Sequence, residues 1–283
     1  MCGMRIDRCV TLYIAGRFRD FANGSQCPRA TILMYHSISD EQNRSVHPYY
    51  EINTSPKVFG SHMEFLWANK YEIISLRDID KSLNAAKDLA KNYVVITFDD
   101  AYRSVYENAF PILKKYCYTA TIFVPTDFLD YGGGDFQERS CINWEEAEAL
   151  KNAGFSFGSH TASHRRLTNL ETREIEYELK HSKELIERRL GVEVESFSYP
   201  FSFPDGNKAF LRKFRQLAQK TGYKYVVTTN IGTVASDDDR YFLKRIPVNS
   251  WDDPRLFHAK LNGGYDWVRI PQYLFKAYVK QWK

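Results

Sequence analysis

From residue 31 onward, short β-branched runs alternate with segments of helical period, and no long linker separates them. That alternation directs the chain to an α/β architecture, because a strand, a crossover helix and a parallel strand form one right-handed unit. The strand-like runs are "TILMYHSI" (31–38), "YEIISL" (71–76), "YVVITF" (93–98), "TATIFVPT" (119–126), "FSFGSH" (155–160), "SFSYPF" (196–201), "YKYVVTT" (223–229) and "FLKRIPV" (242–248). Between them lie helical segments at 55–70, 105–116, 143–154, 170–191 and 207–222. Their punctuation is local. Ser55 precedes a first-turn Pro56, Asn143 opens a turn rich in Glu, and Gly closes the segments that end at 154, 191 and 222. The expectation is a single α/β domain over 29–283, its parallel sheet closed as a barrel. An open doubly wound sheet is the alternative, but no strand here leads into a GxGxxG turn or a phosphate loop, and "YGGGDF" (131–136) lacks both contexts.

In either architecture, function gathers at the C-terminal ends of the strands. This rule collects His36, Asp99, Asp100, His160, His164 and Tyr199 to Phe201 on one rim. Asp99 and Asp100 end the apolar run "VVITF", and adjacent carboxylates at the edge of a core repel and are costly to desolvate without a partner. His160 and His164 lie four apart in "HTASH", close enough to meet one cation. Two imidazoles and one carboxylate form a three-ligand set with open positions for water and substrate, the pattern of catalytic metal sites. The HExxH glutamate is missing, so the second carboxylate of "FDD" is available as base. The bland reading of "FDD" is a cap for the helix near 105, for which one Asp would suffice.

Other features narrow the functional classes. A formal charge of +4 and a pI near 8.6, dispersed along 283 residues, do not form the basic stripe of a nucleic-acid binder. "VTLYIAG" (10–16) is far shorter than the roughly 20 residues of a membrane span. The five cysteines are scattered without a CxxC pair and read as reduced thiols in a cytoplasmic protein. Residues 1–28 read as a poorly defined N-terminal arm. Trp67, Trp144 and Trp267 read as core fillers, with sugar-stacking platforms as the alternative, His47 and His62 as solvated, and "ASDDDR" (235–240) as a solvated turn.

The segments "TFDDAYRSVYENAFPILKKYCYTATIFV", "GSHTASH" and "FSYPF", in this order, resemble the polysaccharide deacetylase family, the carbohydrate esterases that share the NodB homology domain. The resemblance spans roughly 31–250, and "LMYHSI" is similar to the branch that acts on poly-N-acetylglucosamine-type polymers. It implies a distorted (β/α) barrel of about seven to eight parallel strands. The implied cofactor is a divalent metal, most often zinc, with cobalt, nickel or manganese as alternatives. The implied partner is a carbohydrate whose N-acetyl groups are removed.

By motif position, the resemblance makes Asp99 the general base and Asp100, His160 and His164 the metal ligands. The family's third motif, Arg-x-Pro-Tyr, stands here as Ser198-Tyr199-Pro200-Phe201, without the Arg that orients the base. Arg245 is the candidate replacement, and Tyr199, Pro200 and Phe201 are candidates for substrate and oxyanion contacts. The general acid is His258 or His36. Two other readings stay open: hydrolysis of a different small amide, and a sugar-binding homologue with weakened chemistry.

Overall fold

The computed structural model describes residues 5–15, 29–41, 47–85, 92–129 and 134–281. Seven parallel strands of the described residues close into a barrel: β1 (Arg29–Tyr35), β2 (Asn92–Phe98), β3 (Thr121–Val124), β4 (Ser156–Ser159), β5 (Ser196–Ser198), β6 (Tyr225–Ile231) and β7 (Leu243–Pro247). Each pairs with the next, and β1 closes the ring by pairing β2 on one edge and β7 on the other, with Leu33 opposite Ile96 and Ile246. Closure leaves these strands no free edge and buries both faces of the sheet, which is why β2 reads as a continuous apolar run.

Seven strands close the barrel although eight runs look strand-like. "YEIISL" contributes only Glu72–Ile73, which pairs with the start of β2 at Tyr93 and Val94, while β3 takes the same edge further on at Thr97 and Phe98. It is an outrigger to the ring. The interior is tight at Gly158 of β4, where a Cβ would come within 2.6 Å of the Phe123 ring and of Ser196 Oγ. Any larger residue there would push β3 and β5 apart.

The helices follow the local signals in the sequence. α1 (Pro56–Ala68) is capped by Ser55, whose side chain accepts from Val58 N–H, and α2 (Trp144–Asn152) opens with a capping box between Asn143 and Glu146. α3 (Thr172–Leu190) ends at Gly191 and α4 (Lys208–Thr221) at Gly222, both in the left-handed conformation that relieves a helix C-terminus. In α1 the buried stripe is Phe59, His62, Met63 and Leu66.

His62 is therefore buried rather than solvated, its ring stacked 4.0 Å from Phe257. Trp67 stands one position past that stripe and is 63% exposed rather than a core filler. Trp144 and Trp267 are partly buried against the main core. In the acidic turn, Asp238 caps Ala235 N–H and pairs with Lys244.

Residues 5–15, within the segment that reads as an undefined arm, are docked on the barrel. Tyr265 Oη donates to Asp7 Oδ2 at 2.6 Å, Arg8 Nε to Asp253 Oδ2 at 2.6 Å, and Trp267 Nε1 to Thr11 Oγ1 at 3.0 Å. Residues 1–4 and 16–28 lie outside the described residues. No described helix is long and apolar enough to cross a membrane.

Candidate metal centre and active site

The chain leaves β2 through two successive left-handed residues, Asp100 (φ 67°) and Ala101 (φ 50°). Such a turn is unfavourable for residues with a Cβ, and Asp tolerates it better than most. It sends the two carboxylates to different partners. Thr161 (φ 69°), His164 (φ 52°) and Phe201 (φ 58°) adopt the same conformation at the ends of β4 and β5, so backbone strain collects around one spot on the rim.

Asp100 Oδ1 lies 3.4 Å from His160 Nε2 and 3.4 Å from His164 Nε2, and the two imidazole nitrogens are 3.2 Å apart. All three residues are buried. Oδ1 has no hydrogen-bond partner, an expensive state for a buried carboxylate oxygen. Ligands about 2.0–2.2 Å from a common ion stand roughly 3–3.4 Å apart at tetrahedral or octahedral angles, so these three atoms fit around one cation. His160 supports the arrangement through its other nitrogen. Nδ1 is 2.8 Å from the Ser198 carbonyl, which can only accept, so Nδ1 carries the proton and the Nε2 lone pair faces Asp100 and His164.

Asp99 is held quite differently. Its N–H donates to Tyr35 O at 3.0 Å, and its two oxygens receive Nη1 and Nη2 of Arg245 at 2.7 Å each. Arg245, on β7, is completely buried. Its remaining donors reach Thr228 O at 3.0 Å and Ser198 Oγ at 3.0 Å, and Ser198 Oγ in turn donates to Asp99 Oδ2 at 3.2 Å. Ser198 thus leaves room, at the first position of the divergent third motif, for a guanidinium delivered from another strand.

Electrostatics follow from these contacts. Burial opposes the charge on Asp99, but Arg245 outweighs it and holds the carboxyl well below the usual range, so it is ionised at neutral pH. Burial likewise opposes the charge on Asp100, and the facing imidazoles, His160 foremost, bring its pKa down. Burial and the neighbouring His160 hold His164 down at about 4. His160 moves the other way, because Asp99 and Asp100 overcome its desolvation.

The other sequence candidates separate. His36 follows Tyr35, the residue that accepts from Asp99 N–H; burial lowers its pKa while Asp100 and Asp99 favour its protonated form. His258 does not join the cluster: it is exposed on the helix Pro254–Leu261, its ring 5.6 Å from Phe65. Tyr199 packs into an aromatic layer with Phe203, Phe210 and Phe214. Phe201 is 38% exposed, with its ring 4.7 Å from that of His164. Phe136, from the hairpin Asp135–Phe136 and Arg139–Ser140, also lies 4.7 Å from the His164 ring. Phe136 was not singled out in the sequence. Its one signal there is the glycine-rich stretch "YGGGDF" that contains it.

Residues 86–226 match the family model for polysaccharide deacetylase. The Bacillus subtilis protein YxkH, assigned by name to the polysaccharide deacetylases, is 30% identical over 218 residues, which cover 77% of this chain and 71% of that protein. The poly-beta-1,6-N-acetyl-D-glucosamine N-deacetylase of Staphylococcus epidermidis is 25% identical over 201 residues, 68% of this chain and 66% of that enzyme. Among solved structures, the Streptococcus pyogenes deacetylase PplD in complex with acetate superposes with a TM-score of 0.71 at 26% identity, covering 82% of this chain and 98% of PplD.

Barrel and rim together define a metal-dependent carbohydrate hydrolase. The chain belongs to the polysaccharide deacetylase family and is a carbohydrate N-deacetylase.

Proposed function

We propose that the substrate is an oligomer or polymer of N-acetylglucosamine, and that Asp100, His160 and His164 hold the divalent metal, with zinc the best match to two imidazoles and a carboxylate. One observation carries this assignment: a buried, unpartnered Asp100 oxygen faces two imidazole nitrogens while its neighbour Asp99 is clamped by Arg245. The two carboxylates of "FDD" are thereby given different tasks.

A metal held by Asp100, His160 and His164 would supply Lewis acidity to the acetamide carbonyl and would lower the pKa of water toward about 7. Asp99, kept ionised by Arg245, takes the proton of the attacking water. The bidentate clamp fixes both carboxylate oxygens, so the base is aimed before substrate arrives. His36 is assigned as the acid that returns a proton to the departing amine. The Phe201 N–H is assigned to the developing oxyanion, and the Phe136 and Phe201 rings pack against His164.

Support for the substrate class comes from the named N-deacetylase of Staphylococcus epidermidis and from the acetate-bound streptococcal enzyme. Exposed thiols at Cys9 and Cys117 suit a reducing compartment, so a cytoplasmic location is part of the same reading, and cell fractionation tests it. The principal test pairs metal analysis of the purified protein with acetate release from N-acetylglucosamine oligomers. About one equivalent of metal and released acetate support the assignment. A metal-loaded protein that releases acetate from none of them moves the substrate to another amide, and a protein that binds no metal removes the proposed ligand set.

A further inference from the structure

Two guanidinium groups connect through aromatic rings to His164, and only one of them has a carboxylate partner among the described residues. On the Phe136 side, that ring is stacked 6.1 Å from Tyr102, and Arg139 lies 5.6 Å over Tyr102 while leaning toward Glu41 at 3.6 Å. At Phe201, the exposed Arg166 lies 4.9 Å over the ring. Its neighbour Arg165 pairs with Glu174 at 3.1 Å, but no described carboxylate lies within salt-bridge distance of Arg166. A guanidinium stacked on a ring spends its face on the aromatic, and its five N–H donors remain in the plane, free to meet an oxyanion side-on.

Phe201 connects this cation to the chemistry. The ring that carries Arg166 is also the ring 4.7 Å from His164. One short oligosaccharide can therefore present an acetamide to the metal centre and a neighbouring substituent to Arg166. Stacking already restricts the side chain, so less rotamer freedom is lost when a ligand binds.

We propose that Arg166 is a specificity-determining residue that binds an oxyanion on the substrate, so that the preferred glycan carries a phosphate or carboxylate close to the N-acetylated sugar. This inference rests on the N-deacetylase reading of the site. Both oxyanions offer the pair of oxygens that a guanidinium fork matches, and the two sources are separated by the choice of substrate.

The test measures acetate release from three tetramers of N-acetylglucosamine: unmodified, phosphorylated at the reducing end, and bearing a lactyl carboxylate on one ring. Wild type, R166Q and R166K are compared at low and high salt, each with its metal content determined. Wild type is expected to favour one charged tetramer over the neutral one by about 10-fold or more in kcat/KM at low salt, with the ratio falling as salt rises. R166Q is expected to bring that ratio close to one, mainly through KM, and R166K to keep part of it. The charged tetramer that shows the preference identifies the oxyanion. Equal rates on all three tetramers by wild type, or a ratio that survives in R166Q, would overturn the inference while leaving the deacetylase intact. No acetate from any of the three would overturn the deacetylase reading itself, and the subsite with it.

Discussion

Two buried clusters of charge lie in this barrel, and they are built on opposite plans. In the cluster where residues 5–15 dock, cations face anions, and the two buried atoms that lack a hydrogen bond, Arg5 Nη1 and Asp252 Oδ1, face each other. Lys260 Nζ reaches Asp252 Oδ2 and Pro247 O at 2.7 Å each, Arg5 Nη1 faces Asp252 Oδ1 at 3.6 Å, and Tyr265 Oη donates to Asp7. At the rim, the Asp99–Arg245 pair is similarly closed, but beside it Asp100 directs a bare oxygen at two imidazoles. A network whose unbonded atoms face the opposite charge stabilises an arrangement of elements. One whose unbonded oxygen faces two imidazole nitrogens is prepared for a cation to arrive, and the difference between structure and site lies in what those leftover atoms face rather than in burial.

The contrast breaks most sharply at Asp99. Asp99→Asn should retain the metal, because Asp100, His160 and His164 are untouched, and should lower acetate release by about 10²–10⁴-fold, the usual cost of removing a general base. An unchanged rate in metal-loaded protein would remove Asp99 from the chemistry. Lys260→Met is the converse experiment. It leaves Asp252 buried with Arg5 as the cation facing it and the Asn249 N–H as its donor, and should cost about 3–5 kcal/mol of stability, read from urea unfolding. Its kcat per metal-loaded molecule should stay that of wild type; a matching loss of turnover would mean that the two clusters are coupled.

Arg245→Lys tests the part of the rim that resembles the closed cluster. Lysine keeps the positive charge but not the fork that grips both Asp99 oxygens. If orientation is what Arg245 supplies, kcat should fall by up to about 10²-fold with KM little changed and the metal retained. A rate equal to wild type would show that charge alone suffices.

How far each cluster was legible depended on its sequence separation. Asp99, Asp100, His160 and His164 stand next to one another or four apart at the ends of runs that read clearly as strands, so the rule placing function at strand ends found them. Arg245 was reachable only as a substitute for a missing motif arginine, since nothing near it in sequence points at Asp99. The second cluster joins residues 5, 7, 252, 260 and 265, and no spacing or period connects the two termini of a chain. Phe136 escaped for a similar reason: a two-residue strand carries no periodicity. The eighth strand-like run does form a strand, Glu72–Ile73 parallel to β2, but composition does not distinguish a barrel strand from an outrigger beside one.

His62 is the instructive miss, since its signal was present. Phe59, His62, Met63 and Leu66 recur at helical spacing, and that period assigns the imidazole to the buried stripe. There Tyr35 Oη lies 3.1 Å from Nδ1, and Nε2 lies 2.9 Å from the carbonyl of Asp252, so Nε2 carries the proton and Nδ1 accepts. Burial lowers its pKa from 6.5 to about 4. The unfolded chain therefore binds a proton between those values that the folded chain refuses. The contribution of a neutral His62 is complete above pH 6.5 and is lost as pH falls toward 4, at about 1.4 kcal/mol per pH unit. His62→Gln preserves a donor for the Asp252 carbonyl and an acceptor for Tyr35 without a titrating group. The stability advantage of wild type over His62→Gln in urea should shrink between pH 7 and pH 5. An advantage that stays constant over that range would mean that the imidazole is protonated in the fold, and that this third polar cluster is open to water in a way neither of the other two is.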